Sequence, residues 1–164
     1  MPDQTLERTK LALREITAAT VRAVVALDVA EEQRGYVASN AVSIAEAHFN
    51  SGAWFSAAYL AETPVGFVML FDPAKVGIED RRGIALDDIG LWRLMIDRNH
   101  QRRGHGKQVL DLVRAHARAL GRSRLVSSYV PGPHGPERFY LKYGFAKTGR
   151  MRNADREVEI SIAL

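Results

Sequence analysis

The sequence contains no cysteine, which removes disulfides, thiolate metal sites and a cysteine nucleophile from consideration. It also lacks any stretch near the roughly 20 consecutive apolar residues that a membrane-spanning helix needs. The start, Met1-Pro2-Asp3-Gln4, is acidic and polar where a secretory leader is basic and then apolar. With no membrane partner and no leader expected, the cytoplasm is the expected compartment. Strong net charge is missing too, since 23 Lys and Arg stand against 19 Asp and Glu. So small a basic excess suits an anionic cofactor. It is no nucleic-acid footprint, because the basic residues gather at one turn and not along a face. No metal is expected.

What remains is a chain of 164 residues, 46% hydrophobic and 26% charged, ordinary values for a globular protein with one substantial core. Residues 1–164 read as a single domain.

The organising stretch is Leu91-Trp92-Arg93-Leu94-Met95-Ile96-Asp97, followed at once by Arg98-Asn99-His100-Gln101-Arg102-Arg103-Gly104-His105-Gly106-Lys107. The first part is a run of apolar, partly β-branched residues and reads as a buried strand. From about His105 to Leu120, Val109, Leu110, Leu112, Val113, Ala117 and Leu120 recur at helical spacing. A strand, a glycine turn and a helix make an anion cradle. The first-turn N–H groups of a helix have no intrahelical partners and carry the positive end of its dipole, so a phosphate docked there satisfies both. Gly104 and Gly106 allow close approach, and Arg102, Arg103 and Lys107 add full charges. Taken alone, such a turn is equally well a solvated connection. The third glycine of a dinucleotide fold and the Gly-Lys-Ser/Thr of a nucleotide loop are both absent, which excludes the commonest rivals.

Elsewhere the pattern gives a first strand over Leu11 to Ile16, then Thr17 as N-cap of a helix through Val21, Val24, Val25 and Leu27. Ser43 caps a short helix bearing Ile44, Ala47 and Phe49. Trp54 to Leu60 and Thr63 to Phe71 form a hairpin, followed by a long polar loop from Asp72 to Asp88. After Gly121, Arg124 to Val130 is a strand parallel to the organising one. Pro136 sits in the first turn of a helix carrying Phe139, Tyr140 and Tyr143. Phe145 to Gly149 and Glu157 to Leu164 form a closing hairpin.

Two motifs, in this order, point to a known family. Gln101-Arg102-Arg103-Gly104-His105-Gly106 matches the (Gln/Arg)-x-x-Gly-x-(Gly/Ala) acyl-CoA pyrophosphate loop. Arg138-Phe139-Tyr140-Leu141-Lys142-Tyr143-Gly144-Phe145 is similar to the Phe-Tyr-x-Lys-x-Gly-Phe element. The chain thus resembles the GCN5-related N-acetyltransferase (GNAT) family. The resemblance implies an α/β (α+β) fold with a mixed, mostly antiparallel sheet, split into a V by acetyl-CoA and flanked by helices. It implies direct transfer of acetyl from acetyl-CoA to a primary amine, without a covalent enzyme intermediate.

The same resemblance assigns roles. The organising strand is bulged, the Leu94 N–H holds the acetyl carbonyl, and the Ile96 N–H holds the pantetheine arm. Gln101, Arg102, Arg103, Gly104, His105, Gly106 and Lys107 surround the pyrophosphate. Tyr140 falls where the leaving thiolate must gain a proton, and a phenol with a pKa near 10 is a competent general acid. The helix pair before the hairpin borders the acceptor pocket. Glu31, Glu32 and Glu46 either draw a cationic amine there or are ordinary surface carboxylates. Tyr36 and Trp92, and with them Met95, are either pocket wall or packing. For the general base, Asp88, Glu46, Glu31 and Glu32 are the candidates, since Trp92 stands where some polyamine-acetylating relatives have an acidic residue. Pro133 replaces an Asn that contacts the cofactor arm in many members, so His134 takes over that contact or it is absent.

The organising strand most resembles that of bacterial spermine/spermidine acetyltransferase relatives. The expected acceptor is a small-molecule amine, polyamine-like or otherwise. The alternatives are a protein or peptide amine, or an acyl-CoA-binding sensor without turnover. The residues leave oligomeric state open, a homodimer included.

Overall fold

Val65 to Phe71 are buried without a break, as in a strand covered on both faces. This strand, β3 (Thr63–Phe71), lies at the centre of one arm of the sheet in the computed structural model, which describes residues 10–164. The polar start at Met1–Gln4 lies outside the described residues. Around β3 the chain runs β1 (Leu11–Arg14), α1 (Val21–Val25), α2 (Asn40–His48) and β2 (Ala53–Leu60), and then, after β3, β4 (Asp88–Ile96) and α3 (His105–Ala119). It ends with β5 (Arg124–Tyr129), α4 (Glu137–Tyr143), β6 (Ala146–Arg152) and β7 (Glu157–Ala163).

The strands form one seven-stranded sheet in the order β1-β2-β3-β4-β5-β7-β6. All neighbours are antiparallel except β4 and β5. Val68 and Leu70 turn to one face, where Val109, Leu110, Val113 and Ala117 of α3 cover them together with Tyr140 and Phe145. Phe67 and Met69 turn to the other, under Val24 of α1 and Ala47 of α2. Each such aliphatic or aromatic side chain contributes about 1.5–3 kcal/mol on burial, so both helical layers are held by β3.

Two irregularities make the site. β4 and β5 pair only from Asp88–Gly90 to Arg124–Val126, and beyond that the sheet opens into a V. Against β3, the register of β4 steps from Met69↔Arg93 to Leu70↔Leu91, leaving Trp92 as the extra residue of a bulge. A bulge bends its strand and increases local twist, which turns the end of β4 away from β5.

Several sequence expectations shift. The Thr17 N–H is taken by the Thr20 Oγ1, 2.9 Å away, in a local turn, and α1 begins after Thr20 and ends at Val25, short of Leu27. A side chain that bonds its own backbone neighbourhood competes with helix. Ser39, not Ser43, caps α2, accepting the Val42 N–H at 3.3 Å. Ser43 lies inside that helix, buried against the core. Pro136 stands just before α4, at its N-cap. The Asp72–Asp87 loop is pinned and carries two short 3-10 turns. Arg122 grips Asp72 at 2.8 and 2.9 Å and donates to the Leu86 carbonyl at 2.7 Å.

Candidate active site

The opening between the arms of the V is a cleft of about 1890 Å³. Its walls are Leu91 to Ile96 of β4 and Val126 to Tyr129 of β5. Phe139 and Tyr140 of α4 line it from below. At the point of divergence the Ser127 hydroxyl donates to the Leu91 carbonyl at 2.9 Å.

The bare edge of β4 is oriented by its pairing. The Asp97 N–H donates to the Val65 carbonyl of β3 at 2.8 Å. Strand alternation then sends the N–H groups of Leu94 and Ile96 the other way, into the cleft, where no strand meets them. The Ile96 carbonyl, on that same side, accepts from Gln101 Nε2 at 2.9 Å. Leu94 and Ile96 turn their side chains to the core beneath α3, whereas Trp92 and Met95 pack on the α1–α2 side. Trp92 and Met95 both line the cleft.

At one end of the cleft α3 begins. Gly104 takes the left-handed conformation, φ +83°, and supplies no side-chain cap. The first intrahelical bond runs from the Gln108 N–H to the Gly104 carbonyl, so the amides of His105, Gly106 and Lys107 have no partner within the helix. Arg102 and Lys107 line the cleft here. Arg103 is exposed and is not among the residues lining the cleft, and Gln101 is committed to the fold, donating to both the Ile96 carbonyl and Gln33 Oε1. Burial, then His100 and Arg103, hold the His105 imidazole below its ordinary pKa and so neutral at pH 7. Asp97, 6% exposed, anchors the strand end. Burial pushes its carboxyl up, but hydrogen bonds from the Asp28 and Asn99 amides and from His100 outweigh this and hold it below the usual range.

Tyr140 is 6% exposed. Burial drives its phenol far above its ordinary value, with a small offset from the neighbouring Ser127 hydroxyl, so it stays protonated at any physiological pH. Tyr36 also lines the cleft. Its hydroxyl accepts the His134 N–H at 3.4 Å, and a Cβ on Gly132 would stand 2.1 Å from that oxygen. Tyr36 is therefore wall, strapped across to the Pro131–Pro136 loop.

The acidic candidates fare differently. Glu31 and Glu32 are exposed on a 3-10 turn and do not line the cleft. Asp88 is buried at the closed base of the V and bound to Arg124 at 2.7 and 3.2 Å. Glu46 lies outside the lining too, paired with Arg93 at 3.0 Å. Turned away from the cleft or paired in these ways, none of the four is placed to take a proton in it. The carboxylates that do line it are Asp111, held by Lys107 and Tyr143 at the α3 end, and Glu157 at the other. Glu157 accepts from the Ser128 hydroxyl of β5.

The comparisons with known proteins bear on what this cleft is. A family model described as the acetyltransferase (GNAT) family matches residues 18–145.

The chain belongs to the GNAT acetyltransferase family.

It is an acetyl-CoA-dependent N-acetyltransferase by that membership. No curated protein matches its sequence significantly, but solved structures share its fold. An aminoglycoside acetyltransferase in complex with coenzyme A superposes with a TM-score of 0.73 at 14% identity, over 94% of this chain and 95% of that one. The PaiA N-acetyltransferase from Thermoplasma acidophilum, also in complex with coenzyme A, gives 0.66 at 14% over 94% and 99%. The ribosomal-protein-S18-alanine N-acetyltransferase from Escherichia coli gives 0.64 at 14% over 93% and 93%.

In this GNAT enzyme the residues that sequence reasoning missed are Ser127, Glu157 and a set of arginines at the Glu157 end. Arg82, Arg93, Arg150 and Arg152 all line the cleft there. Thr148, Arg150 and Arg152 alternate along β6, as do Glu157 and Glu159 along β7. That period marks a polar sheet face, but not the site it borders.

Proposed function

We propose that this GNAT acetyltransferase passes acetyl directly from acetyl-CoA to the primary amine of a small molecule. The observation that carries the reading is the pair of bare N–H groups on Leu94 and Ile96, facing a cleft that ends at the uncapped start of α3. The diphosphate of coenzyme A docks on the amides of His105, Gly106 and Lys107, with the Arg102 and Lys107 side chains beside it. The pantetheine arm then runs along β4 past Ile96. The Leu94 N–H meets the thioester oxygen, where negative charge develops during attack. A donor placed there is worth about 3 kcal/mol in acyl transfer.

The steps balance as follows. The amine lone pair forms the C–N bond, the tetrahedral intermediate collapses with loss of the C–S bond, and the nitrogen's extra proton passes to Glu157. Tyr140 protonates the departing thiolate. Burial raises the proton affinity of that thiolate together with that of the phenol, so a high Tyr140 pKa does not disable it as a donor. Positioning of the two reactants in the cleft supplies the rest.

A small acceptor is favoured over a peptide by the roof on the Glu157 end. Arg152 Nη1 donates to the Arg82 carbonyl at 2.7 Å, tying the Asp72–Asp87 loop to β6 across that end. The neighbours named above act on an aminoglycoside and on a protein alanine, so their common fold does not choose between acceptors. The test is thiol release from acetyl-CoA with a panel of polyamines, amino acids, aminoglycosides and short peptides. Release with small amines is expected. Release with peptides alone would replace the acceptor class, and acetyl-CoA binding without release would make the protein a cofactor sensor.

A further inference from the structure

Glu31, Glu32 and Glu46 do not reach the acceptor end of the cleft, and the residues that do are mostly basic. Arg82 sits in the Asp72–Asp87 loop with a left-handed backbone, φ +54°. Its guanidinium carbon lies over the ring of Trp92, 3.7 Å from the centroid, and 4.9 Å from that of Phe71. Among the described residues no carboxylate pairs with it and no oxygen accepts its N–H groups, although Arg93, Arg152 and Arg150 all have carboxylate neighbours. A left-handed arginine costs about 1 kcal/mol relative to ordinary backbone, and this one presents a planar array of donors to an open cleft.

Its neighbours add to the same charge. Arg150 Nη2 lies 3.5 Å from where a Cβ on Gly83 would stand, so a second guanidinium abuts the residue next to Arg82. The Arg150 contact to Glu159 is a loose 4.0 Å, because Arg152 holds that carboxylate at 2.6 Å. Arg93 is 5.5 Å from the Trp92 centroid and is paired with Glu46 through Nη2. Two guanidinium groups, those of Arg82 and Arg150, are therefore left to face the cleft with little or no compensation. Burial, together with repulsion from Arg93, outweighs the attraction of the more distant Glu46 carboxylate and holds Arg82 below its ordinary pKa. Against them stands one lining carboxylate, Glu157, on the β5–β7 side next to Ser128.

The site thus has two poles. A polyamine would bring several ammonium groups against these two guanidinium groups, with one carboxylate at this end, Glu157, to receive them. A molecule with one amine and one oxyanion matches both poles. Guanidinium groups bind carboxylate and phosphate oxygens in a planar, two-point manner, and the Trp92 ring 3.7 Å from the Arg82 guanidinium carbon restricts where that fork can lie.

We infer that the acceptor is a small zwitterionic amine whose oxyanion, a carboxylate or a phosphate, is held by Arg82 and Arg150 while its amine lies between Glu157 and the thioester. This rests on the acetyl-transfer reading above and names the substrate class of that same site. The oxyanion takes no part in bond making; it orients the amine.

The experiment compares kcat/KM for L-amino acids with their C-terminal amides, for O-phosphoethanolamine with ethanolamine, and for spermidine. Thiol release is followed in wild type and in Arg82→Gln. An oxyanion worth a charge-assisted hydrogen-bond pair makes each acid exceed its uncharged counterpart by about 10- to 100-fold. Arg82→Gln removes most of that preference in kcat/KM, leaving acetyl-CoA affinity by calorimetry unchanged. Amino acids outrunning O-phosphoethanolamine identify a carboxylate, and the reverse order a phosphate; either supports the inference. Amides that match their acids, or spermidine as the best acceptor, overturn it while leaving acetyl transfer intact. Absence of acetyl-CoA uptake overturns both. Should Arg82→Gln fail to fold, the acid-to-amide ratio of the wild-type enzyme decides alone.

Discussion

The Ser127 hydroxyl donates to the carbonyl oxygen of Leu91 at 2.9 Å, at the place where β4 and β5 cease to pair. One side-chain hydrogen bond there replaces the backbone ladder that the opening of the V interrupts. Ser127→Ala leaves that carbonyl facing the cleft without its partner, at a cost of about 1–2 kcal/mol. Urea denaturation should show a lowered midpoint with an unchanged m-value.

In the proposed mechanism Tyr140 protonates the leaving thiolate. Tyr140→Phe should lower kcat by about 100-fold or more, the usual scale for loss of a general acid, with acetyl-CoA affinity by calorimetry held within twofold or so. Because burial lifts the phenol far above its ordinary value of 10.0, the wild-type kcat profile should show no alkaline fall from Tyr140 up to pH 10. A Tyr140-dependent loss near pH 8 would contradict this placement.

In the proposed mechanism Glu157 receives the proton of the attacking nitrogen. Glu157→Gln keeps the size and the Ser128 contact but abolishes the basic oxygen, so kcat should drop by about 100-fold. The acid limb of the rate profile should flatten with it. An equal loss in Asp88→Asn at unchanged stability would move the base elsewhere.

Gly104 begins α3 at φ +83° with no side-chain cap. Any side chain there pays the left-handed penalty of about 1 kcal/mol and hinders approach of a diphosphate to the amides behind it. Gly104→Val should weaken coenzyme A by about tenfold or more, while dephosphorylated pantetheine, which does not reach the turn, is unaffected. Equal weakening of both ligands would show that the diphosphate binds elsewhere.

Asp97 carries a depressed pKa in the fold. For a carboxyl whose folded value lies below its unfolded one, the stabilisation is fully present above the unfolded pKa, near 4, and is lost as pH falls through the folded value. The stability gap between wild type and Asp97→Asn should therefore be widest from pH 5 to 7 and shrink below pH 4. Chemical denaturation at pH 3 and pH 6 measures it.

Local signals carried much of this molecule. The continuous apolar run Val65–Phe71 marks the central strand, the spacing of Val109, Leu110, Val113 and Ala117 marks α3, and Gly104 punctuates the turn before it. Each is visible because the physical cause lies within one element: period, propensity, or a backbone angle that only glycine adopts freely. Cap positions failed where two serines, Ser39 and Ser43, stood one turn apart, since only packing of Asn40 against the Val24 carbonyl selects between them.

By itself, then, the sequence determined the strand-turn-helix at Gln101–Lys107, the Phe139-Tyr140 element and the order of elements, because these depend on neighbours in the chain. Tertiary structure alone decided which charged groups meet at the Glu157 end of the cleft. Arg82, Trp92, Arg150 and Glu157 come from four separate segments, and only the sheet order β4-β5-β7-β6 and the pinned Asp72–Asp87 loop bring them to one end of the cleft. Charge complementarity is a property of points close in space, and no spacing along a chain encodes it.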